Sequence, residues 1–338
     1  MTLQQVLTSI RKKEYQPVYT LMGTENYLIE TFKNTLKTSA SLEDVDDLNI
    51  ISFDMAETEL GLAVQEAETI PFFGDYKLIF IDNPYFLTAE KRKNELVHDT
   101  KMLEEYLKNP LETSILIFTT NVEKLDERKK IVKLLKKESQ LVDVNQMTEK
   151  ELIPYVSHYI ESEGYHIEKN AFKQLTYLTD MNLSRVMNEL NKLFLYKSDT
   201  KEITLKDVDL LIPKSLEHNI FALSQYVLDN KRDEAIELYQ DLLISGEETI
   251  KIISILIGQV RLLLQVKLLV DMNYQQSNMT DTLKIHPYRI KLAVQQSRAF
   301  EKRLLGEMFS ELVDLDHKIK TGQVDKELGF ELFLLKSR

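Results

Sequence analysis

The first residues with catalytic promise lie just after the first apolar run of the chain. Gly23-Thr24-Glu25-Asn26-Tyr27-Leu28 follows Val18–Met22, where a nucleotide-binding α/β protein carries its phosphate loop. Such a loop has the form G-x-x-x-x-G-K-[ST]. Its glycines let backbone N–H groups wrap the phosphates, its lysine neutralises them, and its hydroxyl holds Mg²⁺. Here one glycine remains, the second glycine, the lysine and the following hydroxyl are missing, and Glu25 brings the wrong charge. The second candidate is Asp82, at the end of Lys77-Leu78-Ile79-Phe80-Ile81-Asp82-Asn83. This resembles a Walker B strand, whose terminal aspartate supports Mg²⁺. Asn83 stands where a hydrolysing protein places the glutamate that orients water, so Asp82 reads as the end of a buried strand that caps the next segment. The loop is in the right place without its chemistry, and no ATP hydrolysis is expected.

Other chemistries fail on composition or spacing. The 338 residues contain no cysteine, which excludes disulfides, thiol nucleophiles, Fe–S clusters and thiolate zinc sites. That composition is compatible with a reducing, cytoplasmic compartment. The six histidines (His98, His158, His166, His218, His286, His317) show no H-x-H or H-E-x-x-H spacing, so no metal site is expected. There is no G-x-S-x-G elbow and no evident two-metal carboxylate site. The sequence assigns no catalytic residue, no metal and no cofactor.

The elements that would position these residues fall into two styles. Nine glycines and seven prolines are few against a usual ~7 % and ~5 %, which excludes a turn-rich all-β fold. Short apolar runs at 17–22, 50–53, 77–81, 114–119 and 141–144 alternate with helical patterns. Strands without polar alternation, spaced by helices, predict a parallel sheet covered on both faces. After Asn145 the strand signals stop. Thr148-x-x-Glu151 predicts a helix start, and helices are expected at 152–163, 168–178 and 182–196, with Gly164 ending the first. A turn at 198–201 leads to a small helix after Thr204. From Ser215 onward the reading is all helix, with breaks near Lys231, Ser245–Gly246, Tyr274–Thr280, His286–Pro287 and Gly322. The apolar stretch Ile250–Val270 is interrupted by Lys251, Gln259, Arg261, Gln265 and Lys267. It predicts a buried helix rather than a membrane span. The fold class is therefore an α/β N-terminal domain of the P-loop type, residues 1–145, followed by two all-α domains, a small lid at 146–213 and a larger one at 214–338.

Charge and aromatic patterning suggest binding rather than catalysis. With 43 Lys+Arg against 54 Asp+Glu the net charge is −11, so contact with nucleic acid requires a local basic face. Residues 122–138 hold seven cations and four anions, and residues 284–305 hold six cations and one anion. Lys124, Arg128, Lys129, Lys130, Arg289 and Lys291 are the candidate DNA contacts, although such runs are usually solvated helix faces. In Pro71-Phe72-Phe73-Gly74-Asp75, two adjacent aromatics cannot easily share one core. A protruding turn would present both to a partner; alternatively, one packs under the sheet.

Several segments carry a resemblance in their order and spacing. They are Tyr19–Leu28, Leu60–Lys77 with its Pro-Phe-Phe-Gly-Asp, Lys124-Leu125-Asp126-Glu127-Arg128-Lys129-Lys130, and Asn188-Glu189-Leu190-Asn191-Lys192-Leu193. Two more follow, His286-Pro287-Tyr288-Arg289-Ile290-Lys291 and Asp316-His317-Lys318-Ile319-Lys320-Thr321-Gly322. Together they resemble the delta-subunit family of bacterial DNA polymerase III, in the clamp-loader branch of the AAA+ proteins, and the acidic, Phe-Phe form looks Firmicutes-like. The resemblance implies a non-hydrolysing member of a heteropentameric ring with tau/gamma and delta-prime subunits, part of a DNA-directed DNA polymerase holoenzyme. It further implies that Pro71, Phe72 and Phe73 bind the beta sliding clamp, that the clamp is opened and loaded on primed DNA, and that residues 214–338 form an oligomerising collar. The implied setting is cytoplasmic, with no membrane partner. Two rival readings are an active AAA+ ATPase with an atypical loop and a helical nucleic-acid-binding protein.

Overall fold

A computed structural model describes residues 3–40, 48–72, 74–89 and 96–336. The chain divides into two compact units. One comprises Met1–Leu152 with Leu183–Met187, and the other comprises Ile153–Asn182 with Asn188–Arg338.

The first unit is built on a parallel sheet. Its strands are β1 (Val18–Met22), β2 (Ile50–Asp54), β3 (Lys77–Asp82), β4 (Ser114–Thr119) and β5 (Gln140–Asp143), in the order β2-β3-β4-β1-β5. Helices α1 (Leu3–Arg11), α2 (Asn26–Ser39), α3 (Leu60–Ala67), α4 (Thr100–Tyr106) and α5 (Lys130–Glu138) cover it. Alternation across the strands supplies both layers. Ile79, Ile81, Leu116 and Phe118 join one core with α3, α4 and α5. Their neighbours Leu78, Phe80, Ile115 and Ile117 are equally buried on the other face, where Phe32 of α2 meets Tyr19 edge-on at 5.1 Å. The fold class read from the sequence is the one observed in its elements: a parallel α/β domain followed by helical regions.

The second unit begins within α6 (Glu149–Ser162), which the Thr148–Glu151 side-chain hydrogen bond of 2.7 Å starts as expected. Gly164, at φ +77°, ends it, and α7 (Lys169–Leu178) follows, with α8 (Leu183–Tyr196) entering this unit from Asn188 onward. The expectation that strands cease after Asn145 is corrected here. β6 (His166–Ile167) and β7 (Glu202–Ile203) form a two-residue parallel pair before α9 (Leu205–Leu211), too short to show a pattern in sequence.

The remaining helices are α10 (Leu216–Leu228), α11 (Arg232–Ile244), α12 (Thr249–Asp271), α13 (Gln276–Leu283), α14 (Pro287–Ser297), α15 (Lys302–Lys320) and α16 (Lys326–Leu335). Two details depart from expectation: α13 occupies most of the segment read as a break, and an unforeseen break separates α14 from α15. Helix α12 is long and apolar enough to cross a membrane by length and composition. Here it lies at the centre of a core with Leu223, Tyr239, Ile290, Met308 and Phe330. Beside that core, Gln296 is buried and reaches Gln259 at 3.1 Å and Ser224 at 3.1 Å, tying α14 to α12 and α10.

Candidate functional site

The nucleotide-type loop is closed by its own backbone. Gly23 has φ +148°, and a Cβ there would stand 2.1 Å from the Val144 carbonyl carbon. The glycine thus serves a close approach of two chain segments. Glu25 is buried and N-caps α2, accepting from the Tyr27 N–H at 3.4 Å, and it also takes the hydroxyl of Ser184. A helix N-terminus attracts anions, but here the protein's own carboxylate already occupies that place.

Outside the carboxyl ends of β2, β3 and β4 lies an open cleft of about 530 Å³. Lys33 from α2 reaches across it to Asp82 at 3.0 Å, its ammonium 5.3 Å from the Phe80 ring centre. Asp82 therefore does not simply cap the next segment. Its charge is met by a lysine, the role a divalent cation has in hydrolysing enzymes of this fold. Asn83 adopts a left-handed conformation, φ +52°, and donates to Asp54 at 3.0 Å. Among the described residues, no group of three or more His, Asp or Glu is placed to hold a metal ion.

The Pro71–Asp75 segment connects α3 to β3. Phe72 is 71 % exposed and Ile70 76 % exposed, while Pro71 is half-buried. Phe73 lies outside the described residues. Beneath this exposed surface two polar side chains are buried, Asn49 and Lys77. The Phe72 N–H donates to Asn49 Oδ1 at 2.7 Å. Lys77 Nζ meets Glu66 Oε1 at 2.5 Å and also donates to Thr69 Oγ1. The Lys77 hydrogen bond holds the Glu66 carboxyl below the usual range. Sequence reasoning passed over Asn49 and Lys77; a lysine opening an otherwise apolar strand was the available signal.

The two basic segments differ in how their cations are used. Arg128 grips Asp126 with two nitrogens at 2.8 Å, which holds the Asp126 carboxyl down to about 2. Lys129 donates to the Phe86 and Thr88 carbonyls at 3.0 and 2.7 Å, fastening the short turn of helix Tyr85–Leu87. Lys130 pairs with Glu104 at 2.6 Å and Lys136 with Glu127 at 2.5 Å, while Lys124 is exposed. In the other unit, Arg289 and Lys291 lie on α14, the first exposed and the second half-buried. The structure thus groups Lys124, Arg128, Lys129 and Lys130 in one unit and Arg289 and Lys291 in the other.

Comparison with known proteins gives a consistent result. A family model described as DNA polymerase III, delta subunit, matches residues 19–145. A second, for the C-terminal domain of the DNA polymerase III delta subunit, matches 217–337, and a third, described as a middle domain, matches 148–210. The chain is 37 % identical over 331 residues to DNA polymerase III subunit delta of Bacillus subtilis (strain 168), covering 98 % of this chain and 95 % of that one. It is 23 % identical over 255 residues to the "Probable DNA polymerase III subunit delta" of Aquifex aeolicus, covering 74 % and 70 %. Among solved structures, the Bacillus subtilis DNA clamp loader delta protein (YqeN) superposes with a TM-score of 0.77 at 37 % identity, covering 98 % of each chain.

Proposed function

The chain belongs to the DNA polymerase III delta-subunit family, and from that premise we propose that it binds the beta sliding clamp and opens it for loading onto primed DNA. The observation that carries this reading is the pair of exposed apolar side chains, Ile70 and Phe72, on the α3–β3 connection. An exposed aromatic on a backbone anchored by buried polar groups suits an apolar pocket on a partner, where such residues act as hot spots. Pro71, Phe72 and Phe73 are the proposed clamp contacts. Opening requires only that the chain bind the open ring better than the closed one.

The nucleotide site supports a non-hydrolysing role. Glu25 fills the anion position of α2, and Lys33 neutralises Asp82, so the chain itself neither binds ATP tightly nor hydrolyses it in this proposal. ATP would act through neighbouring tau/gamma subunits, with delta-prime completing a cytoplasmic heteropentamer. Residues 1–145 would carry the clamp contact, 146–213 a lid, and 214–338 the collar. DNA contacts are proposed at Lys124, Arg128, Lys129, Lys130, Arg289 and Lys291, and Arg128 would have to leave Asp126 and Lys129 the Phe86 and Thr88 carbonyls to contribute fully.

The test is clamp affinity of Phe72→Ala combined with Phe73→Ala. Each buried aromatic at an interface centre is worth ~2–4 kcal/mol, so affinity should drop at least about a hundredfold while the melting curve stays in place. A stable double variant that holds the clamp as the parent does would refute the assignment.

A further inference from the structure

We infer that Asn49 and Lys77 are positioning residues that pre-set the connection carrying Phe72 in its partner-binding form. This rests on the reading of Phe72 as a clamp contact. The two residues hold different points of the connection, Asn49 at Phe72 and Lys77 at Glu66 and Thr69. Asn49 is 1 % exposed and immediately precedes β2. Its side-chain oxygen takes the Phe72 N–H at 2.7 Å, while its backbone carbonyl takes the Leu78 N–H at 2.8 Å. One residue thereby sets the spacing between the Phe72 backbone and β3.

Lys77 secures the other side. It is 4 % exposed at the first position of a strand whose next four residues are buried and apolar. Burying an ammonium is unfavourable, and an apolar side chain of similar volume is often at least as stable. The lysine is instead matched by Glu66, on the last turn of α3, and by Thr69 just beyond it. Thr69 in turn donates to the Glu66 carbonyl at 2.8 Å, and its own carbonyl takes the Ser114 hydroxyl at 3.4 Å. A directional polar network fixes one backbone path where apolar packing would tolerate several. Ile70 and Phe72, beside these anchors, are large apolar side chains left exposed on the connection.

The arrangement has an energetic consequence for binding. A loop that must be ordered on contact loses affinity to conformational entropy, and one held in its bound form does not. Releasing either anchor should therefore weaken clamp binding by roughly tenfold, the scale of one lost hydrogen bond plus local disorder. Core packing beneath the sheet should be largely preserved.

The chain has no tryptophan, so Phe72→Trp installs a unique fluorophore at the site. Time-resolved anisotropy of that indole reads nanosecond mobility in the full-length chain, alone and with Asn49→Ala, Lys77→Met or the milder Thr69→Val added. Clamp affinity is measured in parallel on the same changes made without the tryptophan. The expected result is a faster-moving indole and roughly tenfold weaker clamp binding for Asn49→Ala and Lys77→Met, with Lys77→Arg within threefold of the parent. Unchanged mobility in folded Asn49→Ala and Thr69→Val variants would overturn the inference, whatever Lys77→Met does to folding. So would clamp affinity within twofold of the parent in Asn49→Ala while Phe72→Ala abolishes binding. If Phe72→Ala itself leaves clamp binding intact, the functional reading fails and the positioning role in clamp binding falls with it. That outcome is distinguishable because the indole mobility still reports whether the anchors order the connection.

Discussion

Gly23→Ala separates a glycine kept for phosphate from a glycine kept for packing. In the structure the added methyl would stand 2.1 Å from the Val144 carbonyl carbon and 2.2 Å from the Asn145 nitrogen. Ordinary contact begins at 3.4 Å, so the loop and the end of β5 must part by about 1.3 Å. That movement breaks the Glu25 N–H to Val144 carbonyl bond of 3.0 Å and the Val144 N–H to Met22 carbonyl bond of 2.9 Å. Each is worth ~0.5–1.5 kcal/mol, and holding alanine at φ +148° adds ~1–2 kcal/mol. The total is about 2–5 kcal/mol, concentrated where β1 meets β5. Hydrogen exchange of peptides spanning 18–25 and 140–145 reads this directly, because local opening follows local free energy. Exchange there should accelerate at least about twenty-five-fold, with peptides from α12 unaffected. Acceleration of less than about fivefold would refute the packing argument and return the glycine to a ligand-binding role.

Three further outcomes follow from the same geometry. Lys33→Met strips Asp82 of its cation and should lower stability by ~1–2 kcal/mol, between the values for exposed and buried pairs; adding Asp82→Asn should restore part of it, as denaturant titrations would show. Because Lys77 holds the Glu66 carboxyl below its usual range, that pair stabilises the fold above the unfolded-state value and loses its effect as pH falls through the folded-state value. Lys77→Met should remove this part of the stability difference between about pH 6 and pH 3, measured by urea unfolding at each pH. In the assembled loader, neutralising Arg289 and Lys291 to glutamine should flatten the salt dependence of DNA binding by roughly one to two units. Arg128→Gln should do so less, since its guanidinium is engaged by Asp126.

Where apolar periodicity is strong, the sequence was enough. All five strands of the large sheet lie within two residues of the apolar runs that predicted them, because parallel strands covered on both faces are written as uninterrupted Val, Ile, Leu and Phe. The missing phosphate-loop lysine was equally plain. Elements without such a pattern escaped. β6 and β7 pair only two residues each, and α13 buries Met279 as its one core residue. The break before α15 has no glycine or proline to mark it. The candidate site was legible as Phe72 but not as its support, because Asn49 and Lys77 act through partners that sequence separation hides. How the cations of the 124–130 segment are engaged was hidden for a related reason. A cation tally cannot show that Lys129 serves two carbonyls and Arg128 a neighbouring aspartate.

The central claim is that this chain, without hydrolysing nucleotide, holds the sliding clamp in its open form. A clamp carrying a self-quenching fluorophore pair across one subunit interface tests it most directly, titrated with the purified chain in the absence of ATP. Saturable dequenching that is lost with Phe72→Ala and Phe73→Ala is expected. No change in fluorescence up to saturating concentrations of the chain, or dequenching indifferent to both aromatics, would contradict it.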